Sequence, residues 1–432
     1  MKSILALLSV LVLCTANADE KPKNIIMVIG DGMGPAYTTA YRYFADDKSS
    51  ANIEETVFDR HLVGMASTYP ARMSGYVTDS AAGATALSTG FKSYNGAIAV
   101  DIDKKSLQTT LELARLKGMK TGVAVTSQIN HATPASFAAH NESRRNYDQI
   151  ADSYYDRKLN GMFVLDVMLG GGWDYFIRKD RNLVEQFQAA GYQYIDTLSA
   201  LGDLQPNKPV IGLFGEQGMP WALDTNNRVR LPMLTGAAVK QLENDKGFFL
   251  VVEASQVDWA GHSNDVASAM AEMHDLAKTL EWLESYVEQH PDTLVVLTAD
   301  HSTGGFTLAA DGLYEWKPDP LKNLNASLTT LAAKMTTSDT PFEEAHKGLG
   351  FALTEEEKAL IATASIGDQK AVYVQLKKVM DKRTNTGWTT SGHTGVDVQI
   401  FAMGAGSEHF SGHMDNVEIP QKIFALLGQQ AD

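Results

Sequence analysis

Cysteine is nearly absent. The 432 residues hold one, Cys14, inside an N-terminal apolar stretch that carries the marks of an export signal. Once that stretch is removed, the chain has no disulfide to stabilise it and no thiolate for nucleophilic attack or metal binding. Any metal site must then be built from His, Asp, Glu and hydroxyl groups. Positive charge is also in short supply. Lys plus Arg is 37 against 52 Asp plus Glu, a formal charge of -15. This argues against a nucleic-acid-binding surface, which needs a basic footprint, and against an anionic membrane surface. An anionic substrate would have to be met by local positive charge, from metal ions or a few placed arginines. Proline is sparse at 13 residues. There is no internal repeat, and no later hydrophobic run reaches membrane-spanning length. What remains is ordinary globular composition, 44% hydrophobic and 21% charged. The length allows one large α/β domain with insertions, or two or three smaller domains.

The N-terminus has a basic Lys2, an apolar run Ile4–Cys14 too short to span a bilayer, and Ala16-Asn17-Ala18 as a small-residue cleavage site. The expectation is an exported, periplasmic or secreted protein cut after Ala18. Leu13 before Cys14 argues against a lipid-anchored cysteine. Residues 19–432 are expected to form a single domain.

Apolar, β-branched runs recur at Asn24–Gly30, Thr121–Ser127, Phe248–Ser255, Thr293–Asp300 and Val398–Gly404. Each suits a strand buried on both faces. Helical patterns at Leu107–Lys117, Ala237–Asn244, Val266–Glu288 and Ile419–Leu427 lie between or after them. The alternation predicts a doubly wound α/β fold with a mostly parallel central sheet flanked by helices. The segment 302–392 holds Trp316, Pro318, Pro320, Pro341 and a helical pattern around Thr354–Ala364. It is read as a large insertion, at about 306–385, that leaves the sheet and returns.

Several runs finish in reactive polar residues: Asp31, Ser127 leading to His131, Glu253, and Asp300-His301. In open parallel sheets ligands bind beyond the carboxyl ends of the strands, so one site should collect them. Ser80 opens a run of small residues under Thr78 or Asp79 as cap. A serine at a helix N-terminus faces free N–H groups and suits an oxygen that becomes anionic or phosphorylated. Its neighbours do not form a Gly-x-Ser-x-Gly elbow, which disfavours a hydrolase triad. Asp258 and His262 are four apart, so one helical turn can present both to a metal. His393 lies between glycines and is expected to point into a site. Arg144 or its neighbour Arg145 could grip a tetrahedral oxyanion in a bidentate manner. Each feature alone has a bland explanation. Together they make a hard, multi-cation site of nitrogen and oxygen ligands suited to phosphoryl transfer.

The motifs Gly30-Asp31-Gly32-Met33-Gly34, Thr78–Leu87, Ala132–Arg144, the Glu253/Asp258/His262 spacing, Ala299–Gly305 and Ser391–Gly395, in this order, resemble bacterial alkaline phosphatases. Lys92–Ile98 and Leu169–Phe176 also resemble family segments. The resemblance runs from about residue 24 to the C-terminus and includes the marine type with a large loop. It implies Ser80 as the nucleophile of a phosphoserine mechanism. It implies one zinc on Asp258, His262 and His393, and a second on Asp31, Asp300 and His301. A magnesium would sit on Asp31, Thr133 and Glu253. The run His140–Arg144 selects Arg144 as the phosphate grip. Asp79 would orient the helix start and Arg144.

Two positions depart from the enteric pattern: His131 stands where an aspartate is common, and Trp259 where a lysine is common. Both would flank the ligands, and His131 puts magnesium occupancy of the third site in doubt. The resemblance further implies phosphate monoesters as substrates and a homodimer. Rival readings are a phosphodiesterase of the same superfamily and a non-catalytic phosphate or metal binder. His409 and His413 are assigned no metal role, His274 is expected at a partly exposed surface, and His61, His140, His290 and His346 have no evident partners.

Overall fold

Ten strands form one sheet in the computed structural model, which describes residues 21–226, 228–363 and 367–429. The export signal expected at 1–18 lies outside the described residues. In chain order the strands are β1 (Asn24–Ile29), β2 (Leu62–Ser67), β3 (Lys120–Gln128), β4 (Val167–Gly171), β5 (Gln193–Ile195), β6 (Val210–Leu213), β7 (Phe248–Glu253), β8 (Thr293–Thr298), β9 (Val398–Gly404) and β10 (Gly412–Asp415). Their order across the sheet is β10-β2-β9-β8-β1-β7-β3-β4-β6-β5. Every pairing is parallel except those of β9, which runs antiparallel to β8 and to β2. The expected mostly parallel sheet flanked by helices is therefore present. Val398–Gly404 is a central strand that runs the opposite way.

Strands β1, β7 and β8 are buried along their whole length. That explains why they read as continuous apolar runs rather than alternating ones. Helices cover them. Leu231–Leu242 packs on β3, Thr110–Leu116 on β3 and β7, and Val266–Gln289 on Leu231–Leu242. The helix expected at Leu107–Lys117 starts later because Thr109 and Glu112 form a capping box at 3.1 Å in each direction. The pattern at Ala237–Asn244 is the second half of the longer helix Leu231–Leu242.

Register brings the reactive ends level. Ile29 pairs with both Thr298 and Glu253, and Glu253 with Val125. Asp31, Asp300 and Ser127 therefore emerge two residues past one common line at the carboxyl edge. Among the described residues, 302–392 add no strand to the large sheet. Two short antiparallel pairs mark their departure and return: Ser302–Thr303 with His393–Thr394, and Thr307–Leu308 with Thr386–Gly387. Between these pairs the described residues form five helices, the longest being Gln369–Thr384. Thr303 pairs directly with His393, which carries His393 back beside His301 across a long stretch of chain.

Candidate active site

Ser80 is the first residue of the helix Ser80–Thr89, and Asp79, not Thr78, caps it. Asp79 Oδ1 accepts from Ala82 N at 2.9 Å. Ser80 is 2% exposed, and its Oγ lies 3.2 Å from His301 Nε2. The same Nε2 is 3.3 Å from Asp31 Oδ1 and 3.2 Å from Asp300 Oδ2. Three chain segments thus meet around one point. Close approach of backbone makes this possible. A Cβ on Gly83 would stand 2.9 Å from Asp300 O, and one on Gly32, at φ +69°, would stand 2.8 Å from Asp258 Oδ1. Glycine at both positions lets the helix Ser80–Thr89 and the β1 turn reach the ends of neighbouring elements.

A second group lies on the helix Gln256–His262, which presents Asp258 and His262 one turn apart as expected. His262 Nε2 is 3.4 Å from Asp258 Oδ2 and 3.1 Å from His393 Nε2. Each ring is aimed by its other nitrogen. His262 Nδ1 faces Ser391 O at 2.6 Å, and His393 Nδ1 faces Thr78 O at 2.8 Å. These are the carbonyl contacts that fix the tautomer of metal-binding histidines. The rings of His301 and His393 stack with centroids 3.5 Å apart.

The third group is Asp31, His131 and Glu253, whose ligand atoms lie within 4.8 Å of one another. Glu253 Oε2 accepts from Ser127 Oγ at 3.3 Å. Thr133 is fully buried in the helix Ala132–Ala138, which opens directly after His131.

The electrostatics suit bound cations. Asp31, Glu253, Asp258 and Asp300 are all at most 3% exposed. Burial pushes the Asp31 carboxyl well above its ordinary range, and the negative charges of Asp300, Asp258 and Glu253 add to the effect. Burial, then Asp258, does the same to Asp300, and burial pushes Glu253 up to about 7. The histidines move the other way. Burial, then His393 and His262, holds His301 far below its usual value, and burial with Arg144 pushes His131 down to about 3. Carboxylates crowded in low dielectric without compensation are costly, and bound cations reverse that logic. The donor atoms fit such ions. Both Asp31 oxygens, Asp300 Oδ2, Glu253 Oε1 and Thr133 Oγ1 are buried without a hydrogen-bond partner, and with the imidazoles of His262, His301 and His393 they make the oxygen and nitrogen mixture that divalent ions take.

Arg144 borders this cluster. Its Nη1 donates to Asp79 Oδ2 at 3.1 Å and its Nη2 to His131 Nε2 at 3.2 Å. Burial opposes the guanidinium charge, but Asp79 outweighs it and raises the pKa. Arg145 is exposed, so the choice between the two arginines is made by where the side chains go. Trp259 is half-buried, edge-on to His131 at 6.0 Å, and packs on Gly218. Every residue expected in the site is in or beside it.

Sequence reasoning missed Thr303, whose hydroxyl donates to Asp258 Oδ1 at 2.5 Å and lies 3.2 Å from His301 Nδ1. It links ligands of two clusters, and its only local signal is its place in Ala299–Gly305. Gly96 was missed as well: its N–H donates to Asp79 Oδ1 at 3.0 Å and its carbonyl accepts from Arg144 N at 2.8 Å. His140, expected to lack partners, lies 2.8 Å from Glu112 Oε1, and His61 lies 2.8 Å from Glu284.

A family model described as alkaline phosphatase matches residues 22–429. Alkaline phosphatase 3 of Bacillus subtilis is 44% identical over 95% of this chain and 90% of its own length. The crystal structure of a cold-active alkaline phosphatase from a psychrophilic Shewanella species superposes with a TM-score of 0.90 at 51% identity, covering 94% of this chain and 100% of that one. Alkaline phosphatase from the Antarctic bacterium TAB5 gives a TM-score of 0.70 at 28% identity, over 95% and 99% of the two chains. With the site geometry and these likenesses in agreement, the chain belongs to the alkaline phosphatase family of hydrolases.

Proposed function

We propose that this chain hydrolyses phosphate monoesters through a phosphoserine on Ser80, releasing inorganic phosphate, at a site for two zinc ions and one magnesium ion. The observation that carries the reading is the convergence of Ser80 Oγ, Asp31 Oδ1 and Asp300 Oδ2 within 3.3 Å of His301 Nε2. Asp258, His262 and His393 would hold one zinc, and Asp31, Asp300 and His301 the other. Asp31, Thr133 and Glu253, beside His131, would hold the magnesium. Bound there, the cations would supply Lewis-acid stabilisation of charge on the attacking and leaving oxygens.

The chain's own residues do the rest. Ser80 gives up its hydroxyl proton to solvent and its Oγ attacks phosphorus in line as the bond from phosphorus to the alcohol oxygen breaks, favoured by the free N–H groups and positive end of its helix; the departing oxygen takes up a proton from solvent. Arg144 donates both arms to non-bridging oxygens of a dianionic phosphoryl group, which disfavours diesters. Asp79 holds Arg144 in that orientation. After the alcohol departs, water attacks the phosphoserine from the vacated side and frees Ser80. All the histidines at this centre are committed to ligand groups or to Arg144, so none serves as a general base.

Replacing Ser80 with Ala tests the reading. Turnover of an aryl phosphate should fall by about 10³-fold or more, burst release should vanish, and elemental analysis should find metal content unchanged. Full activity in that variant rejects Ser80 as nucleophile.

Three further features belong to the same reading. Residues 1–18 are a signal removed on export, so the mass of the mature protein should begin at Asp19. Residues 306–385 are an insertion on the single domain. A homodimer is supported by exposed apolar side chains at the His393 loop: Val396, at 48% exposure, and Tyr76, at 84%, whose carbonyl lies against Gly395. Light scattering on the purified protein at twice the chain mass is the expected result.

A further inference from the structure

His140 lies outside the ligand clusters, yet its contacts lead to them. Its side chain is 10% exposed and sits between two oxygens. Nδ1 is 2.8 Å from Ala99 O, and Nε2 is 2.8 Å from Glu112 Oε1. Both oxygens are acceptors, so a proton on either ring nitrogen finds a partner. Glu112 is fixed as the capping-box residue of Thr110–Leu116 and also pairs with Arg157. One side of the imidazole is thus tied to a packed helix and the other to a loop.

That loop is unusual at Ala99, a buried alanine with φ +44°. Side chains avoid this region, and such a residue persists only where its surroundings over-determine it. Here the determinants are visible. The Ala99 carbonyl accepts from His140 and from Leu107 N at 2.9 Å. Its N–H donates to Thr85 Oγ1 at 2.9 Å, and the Thr85 hydroxyl donates to Ala97 O at 2.8 Å. Thr85 is on the helix that Ser80 opens. Ile98 and Asn141 exchange two backbone hydrogen bonds, of 3.0 and 2.9 Å. Just upstream, the two peptide groups of Gly96 hold Asp79 Oδ1 and Arg144 N. With the Asp79–Arg144 ion pair they close a ring: Gly96 to Asp79 to Arg144 and back to Gly96.

We infer that His140 is a positioning residue for the Arg144 phosphate grip, acting through the Ala99 carbonyl and the Gly96 peptides. The inference rests on the reading of Arg144 given above. It goes beyond that reading by assigning the placement of the guanidinium to a histidine that touches neither metal nor substrate.

Two substitutions separate the two sides of the ring. An asparagine can place its amide N–H near the position of Nδ1, keeping the bond to Ala99 while losing Glu112. A glutamine can reach Glu112 but not Ala99. The measurements are the inhibition constant of inorganic phosphate, KM and kcat for an aryl phosphate, and the melting temperature, all on the metal-loaded enzyme. His140→Gln should raise the phosphate inhibition constant and KM by about tenfold, the scale of one lost hydrogen bond to a positioned group. His140→Asn should stay within about twofold, although losing Glu112 costs it stability.

A purely structural role would make phosphate affinity track melting temperature in both variants, and that result overturns the inference. So do equal inhibition constants in the two. Should His140→Gln fail to fold, Thr85→Val removes the other anchor of Ala97–Ala99. It should weaken phosphate by a similar factor, and unchanged affinity there also overturns the inference. Arg144→Ala keeps the two claims apart. If it leaves phosphate affinity intact, the assignment of Arg144 fails and the inference with it. If it weakens phosphate while His140→Gln does not, only the inference fails.

Discussion

His262 and His393 turn their Nε2 atoms toward each other at 3.1 Å, each ring with its Nδ1 on a backbone carbonyl. A carbonyl can only accept, so each Nδ1 carries the proton and each Nε2 presents a lone pair. Two lone pairs at this separation, with Asp258 alongside, are reconciled by a shared cation. Chelation should therefore destabilise the fold as well as stop turnover. At metal concentrations of about 100 times Kd, binding stabilises a protein by about 2.7 kcal/mol. A melting curve with chelator should fall by several degrees and recover on adding zinc. His393→Ala should bind one zinc fewer per chain by elemental analysis. Identical curves with and without chelator would reject a metal centre here.

Arg144 and Arg145 are neighbours with different surroundings. Arg144→Ala removes charge-assisted hydrogen bonds worth about 1.5–3 kcal/mol. KM and the phosphate inhibition constant should rise by about ten- to a hundredfold. Arg145→Ala lies at the exposed surface and should change stability by less than about 0.5 kcal/mol and leave kinetics alone. Comparable kinetic losses in the two variants would contradict the geometry.

Gly32 has no room for a side chain. A Cβ there would meet Thr303 Oγ1 at 2.6 Å and Asp258 Oδ1 at 2.8 Å, at a φ that L residues rarely adopt. Gly32→Ala should lower zinc affinity by at least about tenfold, on the scale of changes next to metal ligands. Competition with a coloured chelator measures this directly, and wild-type affinity would show that the β1 turn can shift.

Asp381 supplies a pH signature outside the three candidate metal-binding groups. Burial pushes its carboxyl up to about 7, against an ordinary value of 3.8. Between those values the folded chain holds a proton that the unfolded chain releases, so this group's contribution to stability falls as pH rises from about 4 through about 7. Asn in its place keeps an acceptor for the Trp388 Nε1–H bond of 3.0 Å. Asp381→Asn should therefore melt close to wild type at pH 5 and a few degrees higher at pH 9. A constant difference between the two proteins at both pH values would refute the assignment.

Most of the site was legible because its residues follow strands whose apolar runs are hard to mistake. Asp31, Glu253 and Asp300 could be assigned to one edge before any pairing was known, since parallel strands share a carboxyl end. The direction of β9 was not legible. A strand buried on both faces shows the same apolar run whether it lies parallel or antiparallel. The partner of His140 was equally hidden, because Glu112 reads locally as a helix cap and nothing in its neighbourhood points to residue 140.

By itself the sequence determined the chemistry on offer: no cysteine after Cys14, a few carboxylates and imidazoles at strand ends, one serine opening a run of small residues. Those are properties of composition and of short-range pattern. Only the tertiary structure decided which atoms meet. It paired Thr303 with His393 across a long stretch of chain, sent Arg144 inward and Arg145 outward, and made Asp79 rather than Thr78 the cap. Such choices depend on how distant apolar surfaces pack, and packing is a property of the whole chain rather than of any window along it.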